Sequence, residues 1–186
     1  MKTVYLVRHG KAEHPSGAVR DFDRVLAERG YADAGYVAKC MAEKGYVPDV
    51  IMSSPAARAI QTACVFAEKF GYMQKSIREN QSLYDNGYSA MLSLLSELDD
   101  SAGSAMIVGH NPDISMCAQM ISTDFDHEVK TSSVIGITFD IDAWSDIAGL
   151  GGHVILFENP GTLSKKKKSL KKDVEEHVTS SIIAVL

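Results

Sequence analysis

Val4-Tyr5-Leu6-Val7-Arg8-His9-Gly10-Lys11 is an apolar run that ends in an arginine, a histidine and a glycine. Four apolar residues bounded by charge read as a short strand buried on both faces. In an α/β sheet, ligands collect just beyond the carboxyl ends of the strands. Arg8 there offers a permanent cation to an anion, and His9 beside it an imidazole able to attack. Gly10 lets the chain leave the strand through a turn that other residues resist.

On the carboxyl-terminal side of this run, short apolar strands alternate with helical periodicity. Leu26 to about Lys44 carries apolar residues at helical spacing and stops at Gly45. Asp49–Ser53 reads as a second strand. Ser54-Pro55 then supplies a cap followed by proline, which predicts a helix from that point to Phe70, before Gly71. Ile77 marks a short strand and Ala90–Leu98 a helix. Ser104–Gly109 is a third buried strand, and Asn111-Pro112 repeats the cap-plus-proline start of a helix to Ile121. Ser133–Asp140 and His153–Phe157 predict an antiparallel hairpin at one sheet edge, with Trp144 covering that edge. This order implies a three-layer α/β/α sandwich with a mainly parallel central sheet and an antiparallel edge hairpin.

Three strand ends then fall on one side of the sheet. The first is Arg8-His9-Gly10, the second Ser53-Ser54-Pro55 with Arg58 just inside the next helix, and the third Gly109-His110-Asn111-Pro112. Two arginines, two histidines and two helix N-termini converge on one pocket. Helix N-termini and arginine forks both suit phosphate oxygens. No P-loop, dinucleotide fingerprint or carboxylate metal cluster appears, so the chemistry implied is phosphoryl transfer through a histidine, with no metal and no cofactor. His14, His127, His153 and His177 match no motif.

The 186 residues suffice for one well-cored domain. The net charge of −5 makes nucleic acid an unexpected partner, and no apolar run reaches the roughly 20 residues of a membrane span. Cys40, Cys64 and Cys117 are odd in number and form no CxxC pair, which fits reduced thiols in the cytoplasm. The amino terminus enters a strand without a signal-peptide core, which fits the same compartment. Residues 1–163 carry 13 Lys and Arg against 21 Asp and Glu. Residues 164–186 carry 6 against 3, beginning with Lys165-Lys166-Lys167-Lys168. The boundary at 163 therefore separates a domain from a Lys-rich extension, expected to be helical. Its apolar end, Ile182–Leu186, is expected to dock on the domain or on a second subunit as a homodimer.

The segments VRHGKAE (7–13), RVLAERG (24–30), SSPAARAIQT (53–62) and VGHNP (108–112) resemble the histidine phosphatase superfamily of phosphoglycerate mutase-like proteins. Within it, they are most similar to the small SixA-like phosphohistidine phosphatases. The resemblance covers residues 1–160 in element order. It implies that His9 is the nucleophile that becomes phosphorylated, that Arg8 and Arg58 bind phosphoryl oxygens, and that His110 contacts the same group. Lys11 would add positive potential, and Arg24 would anchor the loop after the first strand. Physical chemistry agrees in outline: a nucleophilic histidine must be neutral, and neighbouring cations keep it so while stabilising the transferring group.

The broader family carries an acidic general acid and a lid after the second helix. Here that stretch is Glu79-Asn80-Gln81-Ser82-Leu83-Tyr84-Asp85, with Glu79 and Asp85 as candidates outside any convincing motif. A missing acid matters least for an easily protonated leaving group such as imidazole, and a missing lid suits a phosphorylated side chain on another protein. The resemblance thus implies a phosphohistidine protein phosphatase. The alternatives are a small-molecule phosphomonoesterase or mutase of the same superfamily, and a phosphate-binding module with little turnover.

Overall fold

Alternation of apolar side chains to opposite faces explains why the first strand lies at the centre of the molecule. In the computed structural model, which describes residues 1–15, 17, 19–148 and 151–162, β1 spans Lys2–Arg8. Val4 and Leu6 enter one core, while Tyr5 and Val7 enter the other. β2 (Val50–Ser53), β3 (Arg78–Glu79) and β4 (Ser104–Gly109) complete the parallel part of the sheet. β5 (Val134–Phe139) and β6 (His153–Glu158) follow antiparallel, giving the order β3-β2-β4-β1-β5-β6. The expected sandwich with its edge hairpin is the observed fold.

Among the described residues the helices on the two faces are α1 (Glu28–Glu43), α2 (Ala57–Phe70), α3 (Ser82–Asp85), α4 (Gly87–Ser96) and α5 (Asp113–Ile121). Ala34, Val37, Ala38 and Met41 of α1 pack with Ala59, Ala63 and Phe66 of α2. On the other face, Met91 and Leu95 of α4 meet Ile114, Cys117 and Ala118 of α5. Register places Arg8 opposite Gly109 and Ser53 opposite Val108, so the ends of β1, β2 and β4 are level. That levelling brings the three candidate turns to one edge.

Several expectations are corrected. The helices start later than the cap-plus-proline pairs predict: α2 begins at Ala57 and α5 at Asp113, while Ser54 Oγ meets His110 and Ala56 N–H, and Asn111 Nδ2 donates to the Val129 carbonyl. The short third strand lies at Arg78–Glu79 rather than at Ile77, and α4 starts three residues before Ala90. Trp144 does not cover a sheet edge. It is fully buried in the α4–α5 core, donating Nε1–H to the Ala102 carbonyl at 2.8 Å just ahead of β4. The residues from 163 onward, and with them the Lys-rich extension and its docking, lie outside the described residues. Among those described, no helix is long and apolar enough to cross a membrane.

Candidate active site

The turn after β1 is held from three sides. His9 N–H donates to the Gly109 carbonyl at 3.0 Å, and the Arg8 and His9 carbonyls both accept from Ser132 N–H, at 3.1 and 3.2 Å. Gly10 N–H donates to Thr62 Oγ1 at 3.0 Å, and Thr62 Oγ1 donates to the Arg58 carbonyl one turn back along α2, at 2.6 Å. Thr62 thus ties the histidine turn to the helix that carries Arg58.

Gly10 is required for a different reason from the one its sequence position suggests. It does not lie among the positive-φ glycines. A Cβ on Gly10 would lie 3.0 Å from the Gly30 carbonyl oxygen, and one on Gly30 would lie 2.2 Å from the Lys11 carbonyl oxygen. Two glycines let the turn settle directly on the start of α1, where Ala27 N–H reaches the Lys11 carbonyl at 2.8 Å. Gly30, the last residue of RVLAERG, is therefore part of the site's foundation.

His9 Nδ1 lies 2.7 Å from the Gly10 carbonyl oxygen, which only accepts, so the ring proton is on Nδ1. Arg58 Nε–H donates to His9 Nε2 at 3.3 Å. The Nε2 lone pair is therefore the reactive one, and it faces the arginine. Burial pushes the His9 pKa down to about 4, opposed by the Gly10 bond and helped by Arg58, Arg8 and Arg24. His9 is neutral at pH 7.

The His110 ring lies 5.1 Å from that of His9 between centroids. Its Nε2 is 2.9 Å from Ser54 Oγ, which itself accepts from Ala56 N–H at 3.3 Å. With the Ser54 hydroxyl donating to Nε2, the imidazole proton sits on Nδ1; in the other tautomer Nε2–H donates to Ser54 Oγ. His110 Nδ1 is buried and meets no hydrogen-bond partner among the described residues. Burial, then His9 and Arg58, lower the His110 pKa to about 3.

Arg8 is half-buried, with one guanidinium nitrogen donating to the Val129 carbonyl at 2.8 Å, an oxygen that also accepts from Asn111 Nδ2 at 3.2 Å. Arg58 is nearly fully buried along α2, and its remaining nitrogens reach out to Asp21, one to the carbonyl and one to Oδ2 at 2.8 Å. Asp21 Oδ1 also accepts from Arg24 at 2.8 Å. Arg24 in turn donates to the Glu13 carbonyl at 2.9 and 3.2 Å, anchoring the loop after β1. The Arg24 and Arg58 contacts together hold the Asp21 carboxyl below the usual carboxylate range, against a smaller effect of burial.

The structure thus gathers Arg8, His9, Arg58 and His110, and leaves the other candidates outside. Lys11 is exposed, and the cations acting on His9 are Arg58, Arg8 and Arg24. Glu79 is exposed on β3, on the side of Cys64, whose thiol it helps raise. Asp85 is exposed and accepts from Gln81 Nε2 at 3.0 Å, one residue beyond the side chain of α3 that does face the cluster. That side chain is Tyr84, whose ring centroid lies 5.5 Å from that of His110. Sequence reasoning missed Asp21, Ser54, Thr62 and Tyr84. Ser54 and Thr62 stood inside the quoted SSPAARAIQT segment and Tyr84 inside the quoted Glu79–Asp85 stretch, while Asp21 carried no local signal.

Two neutral imidazoles beside two arginines, at the carboxyl ends of parallel strands, suit phosphoryl transfer. Residues 4–110 match the model of the histidine phosphatase superfamily, branch 1. The chain belongs to that superfamily and is a phosphatase. A crystal structure proposed to be phosphohistidine phosphatase SixA, from Agrobacterium tumefaciens, is 33% identical. Its TM-score is 0.71, and the match covers 86% of this chain and 98% of that one. The protein histidine phosphatase SixA complexed with tungstate shares the fold, with a TM-score of 0.71 at 18% identity over 87% of this chain and 99% of that one. An uncharacterized chloroplastic protein of Arabidopsis thaliana is 28% identical over 161 residues, 81% of this chain and 72% of its own length. A 2,3-bisphosphoglycerate-dependent phosphoglycerate mutase of Nocardioides is 32% identical over 91 residues, 48% of this chain and 37% of its own.

Proposed function

We propose that this phosphatase hydrolyses phosphohistidine on proteins, without a metal, through a covalent intermediate on His9. The observation that carries the reading is the state of Asp21. Among the described residues it is the carboxylate that touches the cluster, and its two arginines keep it ionised. It has no proton to give a leaving alkoxide. A phosphoimidazole needs none at the scissile atom, because a proton on its far ring nitrogen lets it leave as neutral imidazole. The likeness to proteins described as SixA phosphohistidine phosphatases supports the same substrate class.

In the first step, the His9 Nε2 lone pair attacks phosphorus in line, and the bond from phosphorus to the substrate's ring nitrogen breaks with its electron pair returning to that ring. Arg8 and Arg58 bind the equatorial oxygens, where charge is spread in the transition state, and His110 donates Nδ1–H to the same group. In the second step, water attacks the phosphorus on His9. His9 already carries its proton on Nδ1, held by the Gly10 carbonyl, so it too leaves as a neutral imidazole. Phosphate departs with the protons of the water.

The test is phosphate release from a phosphohistidine-bearing protein, set beside simple phosphoesters, with chelator present and with His9→Ala as control. Release that persists in chelator, requires His9 and favours phosphohistidine is the expected result. Release from phosphoesters alone would transfer the function to small-molecule chemistry, and binding of phosphate without turnover would make the chain a phosphate-binding module.

A further inference from the structure

The open side of the cluster is bounded by a short turn at Asp21–Asp23 and by α3. Exposure rises outward along a row of rings. His110 is buried, while Tyr84 and Phe22 beyond it are half-buried. The His110 and Tyr84 rings stand edge to face at 5.5 Å between centroids, and Tyr84 and Phe22 edge to face at 5.0 Å. Tyr84 Oη also donates to Asp21 Oδ2 at 3.4 Å, the oxygen that holds Arg58. Tyr84 therefore spans the mouth from the His110 side to the Arg58 side.

In-line transfer fixes where the leaving group must be. The attacking nitrogen, phosphorus and the departing atom are roughly collinear. His9 attacks from the buried end, so the departing group points out toward the turn and α3. We infer that Tyr84, backed by Phe22, is the wall against which a planar aromatic leaving group packs. The subsite would select phosphoryl groups carried on a flat ring over those carried on an aliphatic chain. This inference rests on the phosphohistidine reading for its natural occupant, an imidazole, but its geometry asks only for a ring. Aromatic contacts of this kind are worth about three- to tenfold in affinity.

The test compares two substrates with the same scissile bond, phosphoimidazole and phosphoramidate, in wild type, Tyr84→Phe and Tyr84→Leu. The ratio of kcat/KM for phosphoimidazole over phosphoramidate is expected to fall about three- to tenfold in Tyr84→Leu and to hold in Tyr84→Phe. A ratio unchanged in Tyr84→Leu, or lost equally in Tyr84→Phe, overturns the wall. Inhibition of the wild-type enzyme by phenylphosphonate and methylphosphonate provides a reading that needs no variant to fold. Tighter binding of the phenyl compound supports the inference, and equal binding overturns it. If the wild type cleaves no phosphorus–nitrogen bond, the phosphohistidine reading fails, while the phosphonate pair still judges the wall.

Discussion

Arg58 Nε–H donates to His9 Nε2 at 3.3 Å while the Gly10 carbonyl holds the proton on Nδ1 of the same ring. One imidazole is thereby fixed in tautomer, orientation and charge by its own turn and by an arginine 49 residues further along the chain. The chemistry proposed here depends on that arrangement more than on any single group, because it makes Nε2 the attacking atom and His9 a neutral leaving group later.

His9 must be neutral to attack, and its pKa stands at about 4, below the ordinary histidine value of 6.5. Lowering the pH protonates it only near that value. The acid limb of kcat/KM assigned to the enzyme is therefore expected near pH 4 once the substrate's own ionisation is divided out. A limb near 6.5 would show that burial and the arginines do not hold His9 neutral.

Stability should follow the same two histidines. The unfolded chain takes up their protons below about pH 6.5, whereas the folded chain resists to about 4 at His9 and about 3 at His110. Their contribution is intact above 6.5 and is lost as the pH falls through those folded values. His110→Gln, which cannot titrate, is expected to reduce the loss of unfolding free energy in urea between pH 7 and pH 4 by about 1–2 kcal/mol. An unchanged slope would contradict this.

Thr62→Val keeps the shape of the side chain and removes the acceptor for the buried Gly10 N–H. A buried donor left without a partner costs about 1–3 kcal/mol. Chemical denaturation should show that loss, and kcat should fall with it as the His9 turn loosens. Stability within about 0.5 kcal/mol of wild type would mean that the turn is held without Thr62.

Gly30→Ala places a Cβ 2.2 Å from the Lys11 carbonyl oxygen, a backbone atom that moves only with the loop. The variant is expected to lose at least about 2 kcal/mol of stability and most of its activity. Near-normal activity in the folded variant would show that the Arg8-His9-Gly10 turn does not depend on this approach.

Asp21 occupies the two terminal guanidinium nitrogens of Arg58. Asp21→Asn removes a negative charge from an anion site and weakens that competing contact. Inorganic phosphate should bind about three- to tenfold more tightly, less so at high salt. Calorimetry showing weaker binding would mean that Asp21 positions Arg58 more than it competes.

The fold was readable from sequence because its signals are local. Strands such as Val4–Val7 and Ser104–Gly109 are apolar runs with polar ends, and Gly45 and Gly71 mark helix stops through their own backbone preference. Arg8, His9, Arg58 and His110 were readable for the same reason, each lying at the end of such an element. The residues that tune them were not. Ser54 looked like a helix cap because serine before proline usually is one, but it meets His110 across 56 residues, a contact made only by the parallel pairing of β2 and β4. Asp21 comes to the cluster from a short turn and Tyr84 from α3, where the sequence drew attention to carboxylates instead, and Gly30 is needed only where two segments touch.

Covalent transfer to His9 Nε2 can be seen by rapid mixing with a phosphohistidine protein, quenching in alkali to preserve phosphorus–nitrogen bonds, and mapping the modified peptide by mass spectrometry and phosphorus NMR. A transient phosphoryl group is expected on His9, attached at Nε2, absent in His9→Ala and decaying at the rate of phosphate release. Attachment at Nδ1, or full turnover with no phosphoenzyme at His9, would contradict it.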